Sequence, residues 1–144
     1  MRNMIFSWQF WAILSACFAA LTAVFAKVGV SGIGSDFATF VRTIVILLAL
    51  AIMLSATGGW ESFSSLSTKS TLFLILSGLA TGASWICYFR ALKIGQASQV
   101  APIDKMSVVL VAIFGALFLG EHLSLGGWLG VGFIAIGATL VALF

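Results

Sequence analysis

The sequence predicts an all-α integral membrane protein, a bundle of five transmembrane helices, from three observations. Hydrophobic residues make up 62% of the 144 residues and charged residues only 8%, whereas a soluble domain carries about 25% charged residues. Five apolar segments each approach the ~20 residues that a helix needs to cross a hydrocarbon core of ~30 Å. Fifteen glycines accompany a single proline, a composition that suits closely packed membrane helices.

The five spans are expected in one transmembrane domain that fills residues 1–144. They lie at about 8–26, 37–56, 71–92, 100–119 and 126–144. Helices are required because an open strand would leave backbone N–H and C=O groups unpaired in lipid. If the five spans cross the membrane alternately, four tryptophans lie on one membrane face, as an interfacial aromatic belt requires. These are Trp8, Trp11, Trp60 and Trp128.

The first span has two interpretations. Arg2 and the tetrapeptide that ends at Cys17 resemble the start of a bacterial lipoprotein, whose cleavage would remove this segment. The apolar run, however, continues past Cys17 to Ala26 and is interrupted early by Gln9, unlike a compact signal-peptide core. We therefore expect an uncleaved first helix.

The orientation depends on which basic residues are counted. Five lie on or near the side of the first and third connections, namely Lys27, Arg42, Arg90, Lys93 and Lys105, against Arg2 and Lys69 opposite. The positive-inside rule then places the carboxyl terminus in the cytoplasm. If three of the five are held inside the bundle for function, two basic residues remain on each side, and both orientations become permissible.

The third span carries a polar stripe. Ser77, Thr81, Ser84 and Tyr88 are spaced four, three and four residues apart, with Trp85 one position off the stripe, so they share one helical face. This face predicts a substrate pathway, or alternatively hydroxyls that bond to their own helix or to its neighbours. On the same helix Gly78 and Gly82 predict close helix packing.

Four charged residues are expected near one membrane face: Arg42, Arg90, Asp104 and Lys105. Together they would form a cluster of three cations and one anion that attracts anionic groups, and Arg42 is the deepest of them. The alternative is a set of interface anchors and internal ion pairs. Asp104 has a simpler explanation if Pro102 is the first residue of its helix, because a carboxylate at the third position suits the helix dipole.

An ordered set of short motifs resembles a known family. The motifs are Tyr88-Phe89-Arg90-Ala91-Leu92-Lys93, Ala97-Ser98, Val100-Ala101-Pro102-Ile103 and Phe118-Leu119-Gly120-Glu121. Their order and spacing, together with the five-span layout, resemble the EamA domain of the drug/metabolite transporter superfamily. The fuller members of that superfamily carry two such domains in inverted orientation, ten spans in all, so this chain resembles one repeat.

The resemblance implies a second copy. Inverted repeats form a midplane site at their interface, so a single repeat is expected to act as a homodimer, and the near balance of charge leaves an antiparallel pairing open. A glycine-rich face on the fifth span, with Gly126, Gly130 and Gly137, suits close contact between subunits or with the fourth span of the same subunit. The first span has no acid, so the glutamate-based proton coupling of the smaller multidrug branch is not expected.

The expected function is secondary, non-ATP transport of small metabolites or drug-like solutes by alternating access, in the inner membrane. The alternative is a structural or regulatory subunit of a membrane complex. An enzyme is not expected, because one histidine, two cysteines and four acids assemble no convincing nucleophile or metal set. No cofactor, metal or nucleic-acid partner is expected either.

Overall fold

A computed structural model describes residues 7–144, and within that range the chain is all-α, with no strand. Five helical segments of this part of the chain are long and apolar enough to cross a membrane, which confirms the predicted fold class. The helices are α1 (Trp8–Gly29), α2 (Ser35–Thr57), α3 (Thr68–Ile94), α4 (Ala97–Asp104), α5 (Ser107–Phe114) and α6 (Leu125–Leu143). A 3₁₀ turn occupies Phe63–Ser65 and a π-helical turn Gly115–Leu119. Arg2 lies outside the described residues.

The chain divides into two compact units. Of the described residues, the first unit contains 7–26 together with 94–144, and the second is Lys27–Lys93. In the first unit α6 packs against both α4 and α5. The second unit contains the end of α1, the whole of α2 and nearly all of α3, and its fully buried side chains are Val30 and Leu92.

The fourth span, Ala97–Leu119, is a broken helix. Pro102 lies inside α4, and proline both lacks an N–H group and crowds the preceding turn. After Asp104 the backbone tightens, with Met106 N–H donating to the Ile103 carbonyl at 2.9 Å and Val108 N–H to the Lys105 carbonyl at 3.0 Å. Regular α-helix resumes at Ser107.

This geometry corrects the interpretation of Asp104. The helix begins at Ala97, so Pro102 is not its first residue, and Asp104 is the last residue of α4. A carboxylate at a helix C-terminus opposes the helix dipole. The dipole therefore gives no reason for an acid at this position.

Two glycines end helices in the left-handed conformation. Gly58 follows α2 with φ of 65°, and Gly120 follows the π-helical turn with φ of 68°. In the second case Glu121 N–H donates to the Gly115 carbonyl at 3.1 Å. A side chain at either position would be strained by its backbone alone.

Replacing Gly120 by alanine should lower the stability of the protein by about 1 kcal/mol, because alanine strongly disfavours positive φ. The matched variant is Gly132→Ala, where a Cβ would have no neighbouring atom within 4 Å and the backbone is helical. That substitution should be neutral or stabilising. Thermal unfolding in detergent measures both, and equal effects of the two variants would contradict the conformational explanation.

Most of the helical surface is left uncovered by the chain itself. Only 6% to 11% of the residues in the apolar windows of the five spans are buried. Apolar side chains can face lipid at no cost, whereas polar ones in a span need another partner. The polar groups on uncovered helical faces are therefore the most informative for function.

Candidate functional site

In the second unit an arginine within a membrane span lies within cation–π distance of two aromatic rings. The Arg42 guanidinium carbon lies 4.1 Å from the centroid of the Trp85 ring and 5.4 Å from that of Phe89. The two rings are four residues apart on α3 and so share one face. Phe89 is 3% exposed, so its packing holds this ring in place. We call these three side chains the arginine shelf.

Arg42 lies well inside the span. It is seven residues beyond Ser35, the first residue of α2, or about 10 Å along the axis at 1.5 Å per residue. A charge at the centre of a membrane helix costs about 2.5 to 3.5 kcal/mol and less nearer an end, while a cation–π contact returns about 0.5 to 2 kcal/mol. The two rings thus offset part of the cost of keeping this cation in the span.

Arg42 has no ion pair with an acid of the described chain, and Tyr88 lies near enough to interact with it electrostatically. Across residues 7–144 its guanidinium has neither an acid within ion-pair distance nor a hydrogen-bond acceptor. None of its nitrogens is buried without a partner either. The guanidinium therefore keeps accessible N–H groups that an external acceptor could take.

Arg90, by contrast, forms an ion pair with Asp36. Arg90 Nε donates to Asp36 Oδ1 at 2.9 Å and Nη2 to Oδ2 at 2.6 Å, the two-point geometry that fits guanidinium to carboxylate. Asp36 lies in the first turn of α2 and Arg90 near the end of α3, so each charge also suits its helix dipole. This is an ion pair of the kind that the alternative sequence interpretation, interface anchors and internal ion pairs, allows, although Asp36 was not predicted as the partner.

Two lysines extend this contact. Lys93 Nζ donates to the Ile33 carbonyl at 2.8 Å, and Lys27 Nζ donates to the Leu92 carbonyl at 2.7 Å. Together with Asp36 and Arg90 they form what we call the end clamp, which ties the connection between α1 and α2 to the last turns of α3. These cations donate to backbone carbonyls and to one carboxylate, and they thereby link these segments of the unit.

The other two predicted charges belong to the first unit. Lys105 Nζ lies 3.4 Å from Asp104 Oδ2, between neighbouring residues at the break in the fourth span. The structure thus brings Arg42 and Arg90 together in one unit and Asp104 and Lys105 in the other.

The polar stripe of α3 lies on an uncovered face. Ser77, Thr81 and Ser84 are exposed, while Trp85 and Tyr88 are half-buried. Thr81 Oγ1 donates to the Ser77 carbonyl at 2.8 Å, the back-bonding that was the alternative interpretation of the stripe. The hydroxyl oxygens remain available as acceptors on a helix that also carries the shelf rings.

The glycines proposed for packing make no close contact within the chain. A Cβ at Gly78, Gly82, Gly130 or Gly137 would meet no atom within 4 Å, and at Gly126 only Ser124 Oγ at 3.9 Å. Within each unit, no neighbouring helix of the described chain comes within 4 Å of a Cβ at these positions. Their faces are open to lipid or to another protein.

The first unit contains a cleft that the sequence interpretation missed. It has a volume of about 510 Å³ and lies between the start of α4 and the end of α6, lined by Gln96, Ser98, Gln99, Leu140, Val141 and Phe144. Its polar lining is amide and hydroxyl, groups whose hydrogen bonding carries no charge preference. Glutamine at a helix start gives no sequence signal for such a cleft.

Comparisons with known proteins identify the family. The model of the EamA-like transporter family matches residues 6–143. A Sinorhizobium sp. protein described as an uncharacterised transporter in the cobO 3' region is 66% identical over 138 residues, covering 96% of this chain and 98% of its own. A probable 4-amino-4-deoxy-L-arabinose-phosphoundecaprenol flippase subunit ArnE of Hamiltonella defensa is 29% identical over 98 residues, covering 67% of this chain and 88% of its own.

The ArnE protein of Aeromonas salmonicida is 36% identical over 69 residues, which are 48% of this chain and 60% of its own length. No solved structure matches the chain. The family match covers nearly all of the sequence, and the resemblance inferred from the motifs is confirmed. The chain is a multi-pass membrane protein that belongs to the EamA-like transporter family.

Proposed function

We propose that this protein is a secondary transporter of small metabolites or drug-like solutes in the inner membrane. In this proposal two copies of the chain form one transport unit, which works by alternating access. The observation that carries the proposal is Arg42, a cation held within a span against Trp85 and Phe89 with no ion-pair partner in the described chain. An ionisable residue retained inside a membrane marks a substrate or ion pathway more often than a structural role.

The open faces support a second copy. The hydroxyls of Ser77, Thr81 and Ser84 lie on a surface that the chain leaves uncovered, and the glycine positions of α3 and α6 have room for a close neighbour. Small residues let helix backbones approach each other in a membrane. A second five-helix unit would supply the other wall of a polar pathway at the repeat interface.

The broken fourth span also supports transport. Irregular backbone at membrane depth is tolerated where it is buried in protein or lines a water-filled cavity. Discontinuous helices of this kind supply the solute and ion sites of many secondary transporters. Here the break lies between Asp104 and Ser107, with Lys105 inside it.

Uptake by vesicles tests the proposal. Purified protein would be reconstituted and screened with labelled amino acids, sugars, organic acids and organic cations, with Arg42→Ala beside the unsubstituted chain. We expect saturable uptake of at least one solute without ATP, and a loss of about tenfold or more for Arg42→Ala. Lys69→Ala removes a cation from the other end of α3 and should leave uptake unchanged. Absence of uptake for every solute would refute transport by this chain alone.

A second function is favoured by one specific observation. Two relatives carry the name of a flippase subunit, so this chain would instead pair with a different polypeptide in a membrane complex. In that case the chain purified from native membranes would carry a second polypeptide in equal amount, and the chain alone would transport nothing. Recovery of the chain as the only polypeptide, with uptake in vesicles, would exclude this function.

A further inference from the structure

We propose that the arginine shelf binds the phosphate or carboxylate group of the transported solute, so that the substrate is a small organic anion. This inference rests on the proposed transport function and adds the chemical class of the substrate. It begins from the unequal use of the two arginines in the second unit. Arg90 donates two hydrogen bonds to the carboxylate of Asp36, whereas Arg42 lies against aromatic rings and has no acid partner in the described chain.

The neighbouring cations do not compete for the anion. In the same unit Lys93 and Lys27 donate to backbone carbonyls, at 2.8 Å and 2.7 Å. Lys69 lies in the first turn of α3, at the opposite end of that helix from the end clamp. Arg42 is therefore the cation of this unit whose charge is left for a ligand.

The position of Arg42 against the two rings indicates the ligand chemistry. A ring near a guanidinium interacts with its charge and offers its N–H groups no oxygen acceptor. Those N–H groups match the two oxygens of a carboxylate or phosphate. A cationic solute would be repelled by Arg42, and the charge of Asp36 in this unit is already paired with Arg90.

The residues beside the arginine shelf indicate the chemistry of the rest of the solute, beyond its acidic group. Ser84 directly precedes Trp85 on α3, and Thr81 lies one turn earlier; both are exposed. Hydroxyls can donate to or accept from a polar body, while the ring of Trp85 offers an apolar surface beside them. A small hydroxylated organic acid or phosphate ester fits this combination.

Trp85 itself reports the binding. A variant that carries Phe at positions 8, 11, 60 and 128 keeps Trp85 as its one tryptophan. The ring of Trp85 contacts Arg42. This variant, in a maltoside detergent that contains no phosphate, would be titrated with glycerol 3-phosphate, glycerate, glycerol and phosphatidylglycerol. These probes share a glycerol body, and they separate a soluble oxyanion, a neutral solute and a lipid headgroup.

We expect saturable changes in Trp85 emission with glycerol 3-phosphate or glycerate and none with glycerol. Arg42→Gln should weaken the apparent affinity roughly 10- to 100-fold, because charge-assisted hydrogen bonds are lost. If that variant does not fold, Arg42→Lys keeps the charge, loses the two-point geometry and should still weaken binding. The control Asp36→Asn with Arg90→Gln removes the other arginine together with its partner and should leave the response intact.

A change in Trp85 emission with phosphatidylglycerol alone would overturn the inference and make Arg42 a lipid anchor. A change with glycerol equal to that with the oxyanions would also overturn it, as would no change with either oxyanion. Binding in detergent needs no transport, so the two proposals fail separately. Oxyanion binding without vesicle uptake would refute only the transport function. Uptake confined to neutral or cationic solutes, without an oxyanion response, would refute only the anion assignment.

Discussion

Asp36→Arg should remove most of the folded protein from the membrane. The substitution deletes the carboxylate that accepts two hydrogen bonds from Arg90 and places a new cation beside it. Lys93 and Lys27 also lie in the end clamp, so the same few residues would then hold four positive charges. Like charges in a membrane span raise the cost of insertion as well as of folding. The measurement is the amount of monodisperse protein recovered in mild detergent, relative to the unsubstituted chain.

The reciprocal change in the same chain is the matched control. Asp36→Arg combined with Arg90→Asp conserves the net charge and restores an ion pair between α2 and α3. Recovery should be substantial and incomplete, because both charges would now oppose their helix dipoles. If the double variant is recovered no better than Asp36→Arg alone, the pair does not hold these two helices together.

Gly130→Leu combined with Gly137→Leu should separate the proposed dimer and abolish uptake. The two glycines lie seven residues apart on one side of α6, and no atom of the described chain lies within 4 Å of a Cβ at either position. A leucine at these positions would hold the backbone of a neighbouring helix away. The measurements are the mass of the detergent-solubilised protein, by light scattering, and vesicle uptake.

Gly132→Leu provides the control, since it adds the same bulk to the same helix at a position well away from the Gly130 side. It should leave both the dimer mass and uptake unchanged. A double variant at Gly130 and Gly137 that remains dimeric and active would show that the glycine face is not the interface.

The sequence predicts the five spans well because lipid imposes one constraint on all of them. Each span must be long enough, apolar and helical, and these properties are visible in composition alone. The family is also accessible from the sequence, because its signal is the order of several short motifs between Tyr88 and Glu121. Neither inference requires knowledge of which side chains touch.

The pairing of charges was not accessible in the same way. Arg42 and Arg90 look alike in sequence, each a single arginine in an apolar run. Only the three-dimensional structure shows that Arg90 forms an ion pair with Asp36, whereas Arg42 contacts the ring of Trp85. The break in the fourth span was equally hidden, because Pro102 can begin a helix as readily as interrupt one. Placing Pro102 at the helix start gave the wrong position for Asp104.

The central claim, that two copies of this chain form one transport unit, is tested most directly in single vesicles. The chain would carry a fluorescent tag, its copies in each vesicle would be counted by photobleaching, and filling with a solute identified in the uptake screen would be recorded in the same vesicle. Vesicles with two copies should fill, and vesicles with one copy should stay at the level of empty lipid. Filling of one-copy vesicles at the two-copy rate would contradict the account.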